Sequence, residues 1–216
     1  MDESAATSAS AAVPADGRSM RRQDNAQRLY DAADELLTST GFDDVSVDEI
    51  CERAGVGRAT FFRIYGSKSG LLREFNRRLA DDAERRLDAL GAADVRAALG
   101  QVADAIVDAW RDAGPGHLGM ARTFVQSLPH ADPHDAHPEL FGLVHTIVIA
   151  GIERGELPDT VPSGLAASLA LTHLTAPIAY TLSGRSADIH RLAHTLLDQW
   201  YAGMTAASHA EARRMS

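Results

Sequence analysis

The sequence predicts an all-α fold in which a small three-helix unit precedes a larger helical part. Apolar residues recur at spacings of three and four along most of the chain, which is the period of an amphipathic helix. Polar capping patterns precede several of these runs, and glycines follow them. No alternation of apolar and polar residues is long enough to indicate a strand.

Composition and charge narrow the classes of protein to consider. The 216 residues, of which 45% are hydrophobic and 24% charged, have the balance of a folded chain with one or two domains. A single cysteine, Cys51, excludes an internal disulfide and a zinc finger. The net charge of −9 argues against a protein that coats nucleic acid, although it says nothing about local patches.

Two segments bear on the location of the protein. The N-terminus is acidic and lacks the basic and apolar regions of a signal peptide. Residues 160–184 carry no formal charge, but they contain two prolines and few large apolar residues. We therefore expect a helix buried against protein rather than a membrane span, and a cytoplasmic protein that contacts no membrane.

The chain divides into three parts. Residues 1–17, rich in alanine and serine, are predicted to be a disordered tail. Residues 18–66 form the small unit and residues 67–216 the larger part. The first helix is predicted over residues 24–38, because Asp24 and Gln27 have the spacing of a capping box and an apolar stripe follows them.

The second helix is predicted to start at Ser46, because Ser46 and Glu49 have the residue types and spacing of a capping box. Cys51 lies on the apolar stripe of this helix, and we expect it to be a small buried hydrophobe.

The third helix is predicted over residues 58–65, with Phe61, Ile64 and Tyr65 on the face that docks on the first two helices. A fourth helix is expected to open at Ser67 and to run to about residue 90.

The second and third helices, joined by a tight turn at residues 54–57, have the arrangement of a helix-turn-helix motif. In that motif the second helix lies in the major groove of DNA. Its outward face here carries two arginines that can bond guanine, a threonine whose methyl group can touch thymine, and a small alanine. We expect Lys68, next to the start of the fourth helix, to meet a phosphate. The outward residues are Arg58, Ala59, Thr60, Phe62 and Arg63.

Positive charge is concentrated around the same motif. Residues 53–78 contain seven basic residues and one acid, Glu74, so this window carries +6 within a protein of −9. Such asymmetry favours the approach of DNA to one end of the molecule. Four arginines in or near the first helix are expected to add contacts to the DNA backbone: Arg18, Arg21, Arg22 and Arg28.

The run SVDEICERAGVGRATFFRIYGSKSGLL at residues 46–72 closely resembles the DNA-binding region of tetracycline-repressor-like (TetR/AcrR) regulators, and the resemblance covers about residues 22–75. It implies a homodimeric repressor that a small-molecule effector releases from a double-stranded DNA operator; we expect no cofactor. The DNA-binding residues would then include Ser46, Tyr65 and Lys68 besides the outward face of the third helix.

Four positions depart from the usual pattern of these regulators. Gly57 replaces the serine that caps the recognition helix, and Ile64 stands at a frequent histidine position. Phe62 replaces a tyrosine whose hydroxyl reaches a phosphate, and phenylalanine has no hydroxyl. Tyr65 replaces a frequent phenylalanine, and its own hydroxyl offers a substitute for the missing contact.

The resemblance implies that residues from about 90 onward bind the effector and form the dimer. Two apolar helices, predicted over about residues 165–182 and 187–207, suit either a four-helix dimer interface or an intramolecular core, and we favour the dimer. The effector pocket is expected among the middle helices. Its candidate residues are Trp110, His117, Met120, Phe124, Phe141, His145, His173 and Tyr180.

Two sets of histidines have spacings that suit a metal, but no matching cysteine or Glu-x-x-His pattern accompanies them, so no metal site is predicted. The sets are His130, His134 and His137, and His190 with His194.

An all-helical enzyme and a protein-binding adaptor are the alternative functions. The lack of a Gly-rich phosphate loop and of a Gly-x-Ser-x-Gly motif argues against the enzyme, and the basic face argues against the adaptor.

Overall fold

The computed structural model describes residues 17–127, 137–185 and 187–214, without the side chains of residues 124–127 and 207–214. These residues form nine α-helices and one 3-10 turn, with no strand among them, so the predicted all-α class is confirmed. The predicted tail at residues 1–17 lies outside the described residues except for Gly17.

Helices follow one another with short connections. The first part of the chain forms α1 (Gly17–Ser39), α2 (Val47–Ala54), α3 (Arg58–Tyr65), a 3-10 turn (Lys68–Gly70), α4 (Leu71–Leu90) and α5 (Val95–Arg111). The remainder forms α6 (Pro115–Ser127), α7 (Pro138–Glu153), α8 (Ser163–Leu182) and α9 (Ile189–Arg214).

The helices α1, α2 and α3 pack around one apolar centre, in which Leu29, Ile50 and Phe61 are fully buried. The capping box that begins α2 is confirmed: the Ser46 hydroxyl accepts from the Glu49 N–H at 3.1 Å, and the Ser46 N–H donates to the Glu49 carboxylate at 2.7 Å. The hydrogen bond from the Ser46 N–H is the main cause that lowers the pKa of Glu49. Because these bonds join residues three positions apart, the residue types at positions 46–49 are enough to predict where α2 begins.

The first helix is longer than predicted, since α1 begins at Gly17. The capping box predicted at Asp24 and Gln27 is wrong, because both residues lie inside the helix. The Gln27 amide instead donates to Asp31 at 2.9 Å, and the Asp24 carboxylate faces Arg28 at 3.9 Å. Residues 18–23 are mostly strong helix formers, which extend the helix beyond a plausible cap.

The larger part is a helical bundle. α4 packs on α5 and α7, α5 packs on α9, and α8 packs between α7 and α9. Ser67 caps the 3-10 turn that leads into α4, because its hydroxyl accepts from the Gly70 N–H at 3.1 Å. The predicted end of the fourth helix at residue 90 is confirmed. Burial raises the pKa of the Cys51 thiol, as expected for the buried hydrophobe predicted there.

Among the described residues, α8 is the helix whose length and apolar composition would suffice for a membrane span. Core helices of globular proteins meet the same criterion, and α8 packs one face against α7 and α9. Its opposite face is exposed at Leu165, Leu169 and Tyr180. In a single chain, therefore, only one face of α8 is buried against protein as expected, and the other face is exposed.

Candidate DNA-binding interface

The turn between α2 and α3 is closed by a glycine and by an arginine from α1. Gly55 has a φ of +59°, in the left-handed region, and its N–H donates to the Glu52 carbonyl at 3.1 Å. The Arg28 guanidinium reaches from α1 and donates to the Ala54 carbonyl at 2.6 Å. A cation at this position stabilises the carbonyl end of α2. Arg28 therefore serves the fold, whereas the sequence suggested a DNA contact.

The helix α3 presents the faces predicted for it. Phe61 is fully buried and Tyr65 is 7% exposed, whereas Phe62 is 40% exposed. The predicted outward residues Arg58, Ala59 and Arg63 are exposed, and Thr60 is half-buried. The short helix thus turns two arginines and three smaller or aromatic side chains to solvent on one side of the molecule.

The hydroxyl of Tyr65 points away from this exposed face. It donates to the Ala26 carbonyl of α1 at 2.8 Å, and burial raises the pKa of Tyr65, so the phenol remains a protonated donor. This position argues against the phosphate contact that the sequence suggested for Tyr65. The residue instead fastens α3 to α1.

Lys68 is also used inside the protein. Its ammonium donates to the carbonyl of Val45 at 2.7 Å and to that of Phe42, and it lies 4.2 Å from the centre of the Phe42 ring. Lys68 thus ties the 3-10 turn to the loop between α1 and α2, and a phosphate would have to compete with these carbonyls. Ser46 is exposed at the start of α2, where its hydroxyl caps that helix.

Acidic residues, most of them outside the window, form ion pairs with several of the basic residues at 53–78. These acids lie in α1, at the start of α2 and along α4. The charge of +6 counted over residues 53–78 therefore omits most of them. Among the described residues of this window, Arg63, Lys68 and Arg73 have no carboxylate partner, and Lys68 is held instead by the two backbone carbonyls named above. The ion pairs are Arg53 with Glu35, Arg58 with Asp48, Arg77 with Glu74 and Asp81, and Arg78 with Asp31 and Glu74.

Arg58 and Arg63 consequently differ in freedom. The Arg58 guanidinium is paired with Asp48 and lies 5.4 Å from the centre of the Phe62 ring. Within the described part of the chain, the Arg63 guanidinium makes one long hydrogen bond, of 3.4 Å, to the Thr60 hydroxyl. Of the two arginines of α3, Arg63 would therefore lose the weaker interaction on binding another group.

A cleft of about 450 Å³ lies beside α3, between α1 and α4. Arg22 of α1 and Arg73 of α4 both line it, together with Ser19, Glu74 and Glu139. Arg22 was expected from the sequence to contact the DNA backbone, whereas Arg73 was counted in the basic window without a particular contact. The two residues are distant in sequence, and only the packing of α4 on this side of α1 brings them together.

The predicted effector residues fall into separate groups. Trp110, His117 and Met120 lie where α5 and α6 approach α1 and α4. The Phe75 ring of α4, which sequence reasoning did not select, lies 4.9 Å from the Trp110 ring and 5.6 Å from the His117 ring. His117 is buried, and its Nε2 is 2.9 Å from an Asp34 carboxylate oxygen of α1. This group therefore borders the three-helix unit.

The remaining effector candidates lie elsewhere. Phe141 and His145 pack together on α7, and His145 Nε2 is 3.0 Å from the Ser163 hydroxyl at the start of α8. His173 and Tyr180 lie on α8, with Tyr180 on its exposed face. The side chain of Phe124 lies outside the described residues, as do His130 and His134.

Comparison with known sequences relates part of this chain to bacterial regulators. Residues 29–75 match the sequence model of a family described as "Bacterial regulatory proteins, tetR family". A protein of Mycobacterium tuberculosis named as a mycofactocin biosynthesis transcriptional regulator, MftR, is 45% identical over 51 residues. That match covers 24% of this chain and 26% of the relative, so the shared segment spans about a quarter of the relative's length.

Comparison with solved structures extends the likeness of fold to most of the chain. The FadR repressor of Thermus thermophilus, solved with lauroyl-CoA, is similar with a TM-score of 0.61 and 24% identity, over 82% of this chain and 94% of that one. FadR of Bacillus subtilis, solved with stearoyl-CoA, is similar with a TM-score of 0.57 and 17% identity, over 82% and 98% of the two chains. Solved counterparts thus exist for most of the helical arrangement, and not only for a segment as short as α1–α3.

Proposed function

Because this chain belongs to the tetR family of bacterial regulatory proteins, we propose that it is a cytoplasmic, homodimeric transcriptional repressor that a small molecule releases from a double-stranded DNA operator. Residues 18–66 are the DNA-binding domain in this proposal, and residues 67–216 bind the effector and form the dimer. The observation that carries it is the exposed face of α3, on which Arg63 has no carboxylate partner among the described residues.

In the proposed complex, α3 lies in the major groove. Arg63 reads a base edge, and Arg58 does so after exchanging Asp48 for the DNA. Ala59 and Thr60 allow close approach and contact with a thymine methyl group. Phe62 supplies apolar contact, and Ser46 lies near the backbone at the start of α2. Arg22 and Arg73, in the cleft beside α3, are the proposed phosphate contacts.

We predict that Arg63→Ala weakens binding to the operator more than Arg58→Ala does. A bidentate contact from arginine to guanine is worth ~1–3 kcal/mol of discrimination, and Arg63 can make it without first losing a carboxylate partner. The measurement is fluorescence anisotropy on a duplex that the parent protein selects from a random pool, at one fixed salt concentration.

Arg85→Ala is the matched control, because it removes the same charge from an exposed position on α4 outside the three-helix unit. We expect it to bind the selected duplex as the parent does. Equal affinity of the parent and Arg63→Ala for that duplex would contradict base reading by α3, and the absence of any selected duplex would contradict the function itself.

The proposed dimer interface is the exposed apolar face of α8 with the adjoining face of α9. Leu165 is 53% exposed and Leu169 is 42% exposed in a single chain, although the helix carries no charge. A two-fold axis along this face would cover the same residues in both copies. The two α8 helices and the two α9 helices then form a four-helix contact.

We predict that Leu169→Glu shifts the protein from dimer to monomer, because each dimer would bury two carboxylates without partners. Sedimentation velocity over a series of concentrations measures the change. Met20→Glu, which places the same charge at a 60% exposed residue of α1, should leave the dimer intact. A Leu169→Glu protein that sediments as the parent does would place the interface elsewhere.

The proposed release of DNA depends on the junction between α6 and α1. An effector that contacts Trp110, His117 or Met120 would act on Asp34 of α1 through the hydrogen bond from His117. Half-sites on DNA lie about 34–36 Å apart, so a small rotation of each α1–α3 unit disturbs simultaneous binding. An effector that prefers the rotated state therefore lowers the affinity for the operator.

A further inference from the structure

We propose that Asp104, His190 and His194 form a binding site for a divalent transition-metal ion such as Zn²⁺. The histidines lie one turn apart on α9, and Asp104 faces them from α5. The Nε2 atoms of His194 and His190 lie 2.7 Å and 3.1 Å from the same Asp104 carboxylate oxygen. The three ligand atoms all lie within 4.8 Å of one another.

The geometry is close to that of a three-ligand metal site. Zn–N and Zn–O distances of about 2.0–2.2 Å place the ligand atoms of a tetrahedral site about 3.3 Å apart. The observed separations from the Asp104 oxygen are a few tenths of an ångström shorter, a difference that small side-chain rotations can remove. An ion at the centre would replace the two hydrogen bonds to Asp104 with three coordinate bonds.

The packing of α5 on α9 holds these side chains in place. One turn away on α5, Gly100 faces the His194 ring, where a Cβ atom would lie 3.8 Å from Cε1. A further turn along the same seam, Arg96 and Asp198 form an ion pair at 2.6 Å. The two helices therefore meet at three successive positions along this seam, so binding of an ion would require little further ordering of the side chains.

The ligand types indicate the class of ion. Two imidazoles and one carboxylate suit Zn²⁺, Co²⁺, Ni²⁺ and Cu²⁺, whereas Mg²⁺ and Ca²⁺ prefer oxygen ligands only. The side chains of His190 and His194 are 54% and 32% exposed, so an ion can enter from solvent. Three protein ligands leave a fourth position for water or an external ligand. The spacing of the two histidines is visible in the sequence, whereas the third ligand, Asp104, is far away in the chain and reaches them only through the packing of α5 on α9.

The test is isothermal titration of the untagged, EDTA-treated, full-length protein with ZnCl₂, without DNA. We expect one ion per chain, and for His190→Ala a dissociation constant raised by roughly tenfold or more, since even changes to residues behind the metal ligands cost that much. Asp104→Asn should weaken binding as well, because it removes the negative ligand and keeps a hydrogen-bond acceptor for the histidines. His173→Ala, which removes a histidine from α8, should bind as the parent does.

Absence of binding in the parent would overturn the proposal. So would equal binding by the parent, His190→Ala and Asp104→Asn, because the ion would then lie elsewhere. Circular dichroism of the metal-free variants checks their folding. If His190→Ala proves to be unfolded, the affinity of Asp104→Asn for Zn²⁺ is the deciding result. The titration contains no DNA, so its failure and a failure of the proposed repressor function are separate results.

Discussion

Phe61→Ala is expected to lower the free energy of unfolding by about 3–5 kcal/mol, the cost of removing a fully buried phenylalanine. The Phe61 ring is 0% exposed and packs against Tyr65, with ring centres 5.3 Å apart. Because α3 is only eight residues long, it has little stability without this packing. We therefore expect loss of operator binding as well, measured by anisotropy alongside urea denaturation.

The neighbouring phenylalanine provides a matched control. Phe62 is 40% exposed, and its described contacts include a T-shaped contact with the Phe61 ring and the Arg58 guanidinium. A cation–π contact at an exposed site is worth about 0.5–1 kcal/mol, so Phe62→Ala should change stability by no more than about this amount. Equal destabilisation by the two substitutions would contradict the assignment of the buried and exposed faces of α3.

Gly116→Ala should produce the second large effect, because α6 approaches the backbone of α1 there. A Cβ atom at residue 116 would lie 2.5 Å from the Thr40 carbonyl oxygen and 2.7 Å from Leu37 Cα. Backbone atoms cannot turn aside as a flexible side chain can, so α6 has to move away from α1. Overpacking of this kind costs about 1–3 kcal/mol of stability, and we expect operator affinity to fall with it.

Gly142→Ala is the matched control for this prediction. Residue 142 lies within α7, and a Cβ atom there would meet nothing within 4 Å. Alanine is favoured over glycine inside a helix by about 0.5–1 kcal/mol, so this substitution should raise the midpoint of urea denaturation slightly. If Gly116→Ala also raised the midpoint and left operator binding unchanged, the close contact of α6 with α1 would be wrong.

The junction between α6 and α1 has a further close contact and a polar link. A Cβ atom on Gly114 would lie 2.1 Å from the Thr38 carbonyl oxygen, and His117 bonds Asp34 one turn earlier on α1. Close backbone packing transmits a displacement of α6 directly to α1. In the proposed repressor this is the place where an effector and the DNA would influence one another.

Features that depend on residues a few positions apart could be read from the sequence. The capping box at Ser46, the bounds of α3 and the alternation of buried Phe61 with exposed Phe62 are all examples. In each case the interacting groups lie within one helical turn, so their spacing in the chain also sets their spacing in the fold. The start of α1 was missed because a plausible cap at Asp24 competes with a continuing run of helix formers.

Helix packing determined the partners of the charged and polar side chains. Asp48 pairs with Arg58, the Phe42 and Val45 carbonyls hold Lys68, and Asp104 joins the two histidines of α9. No spacing along one helix encodes such pairs, since their geometry arises when separate elements come together. A basic stretch in the sequence therefore predicts where DNA approaches, but only the assembled helices show that Arg63 is left free to meet it.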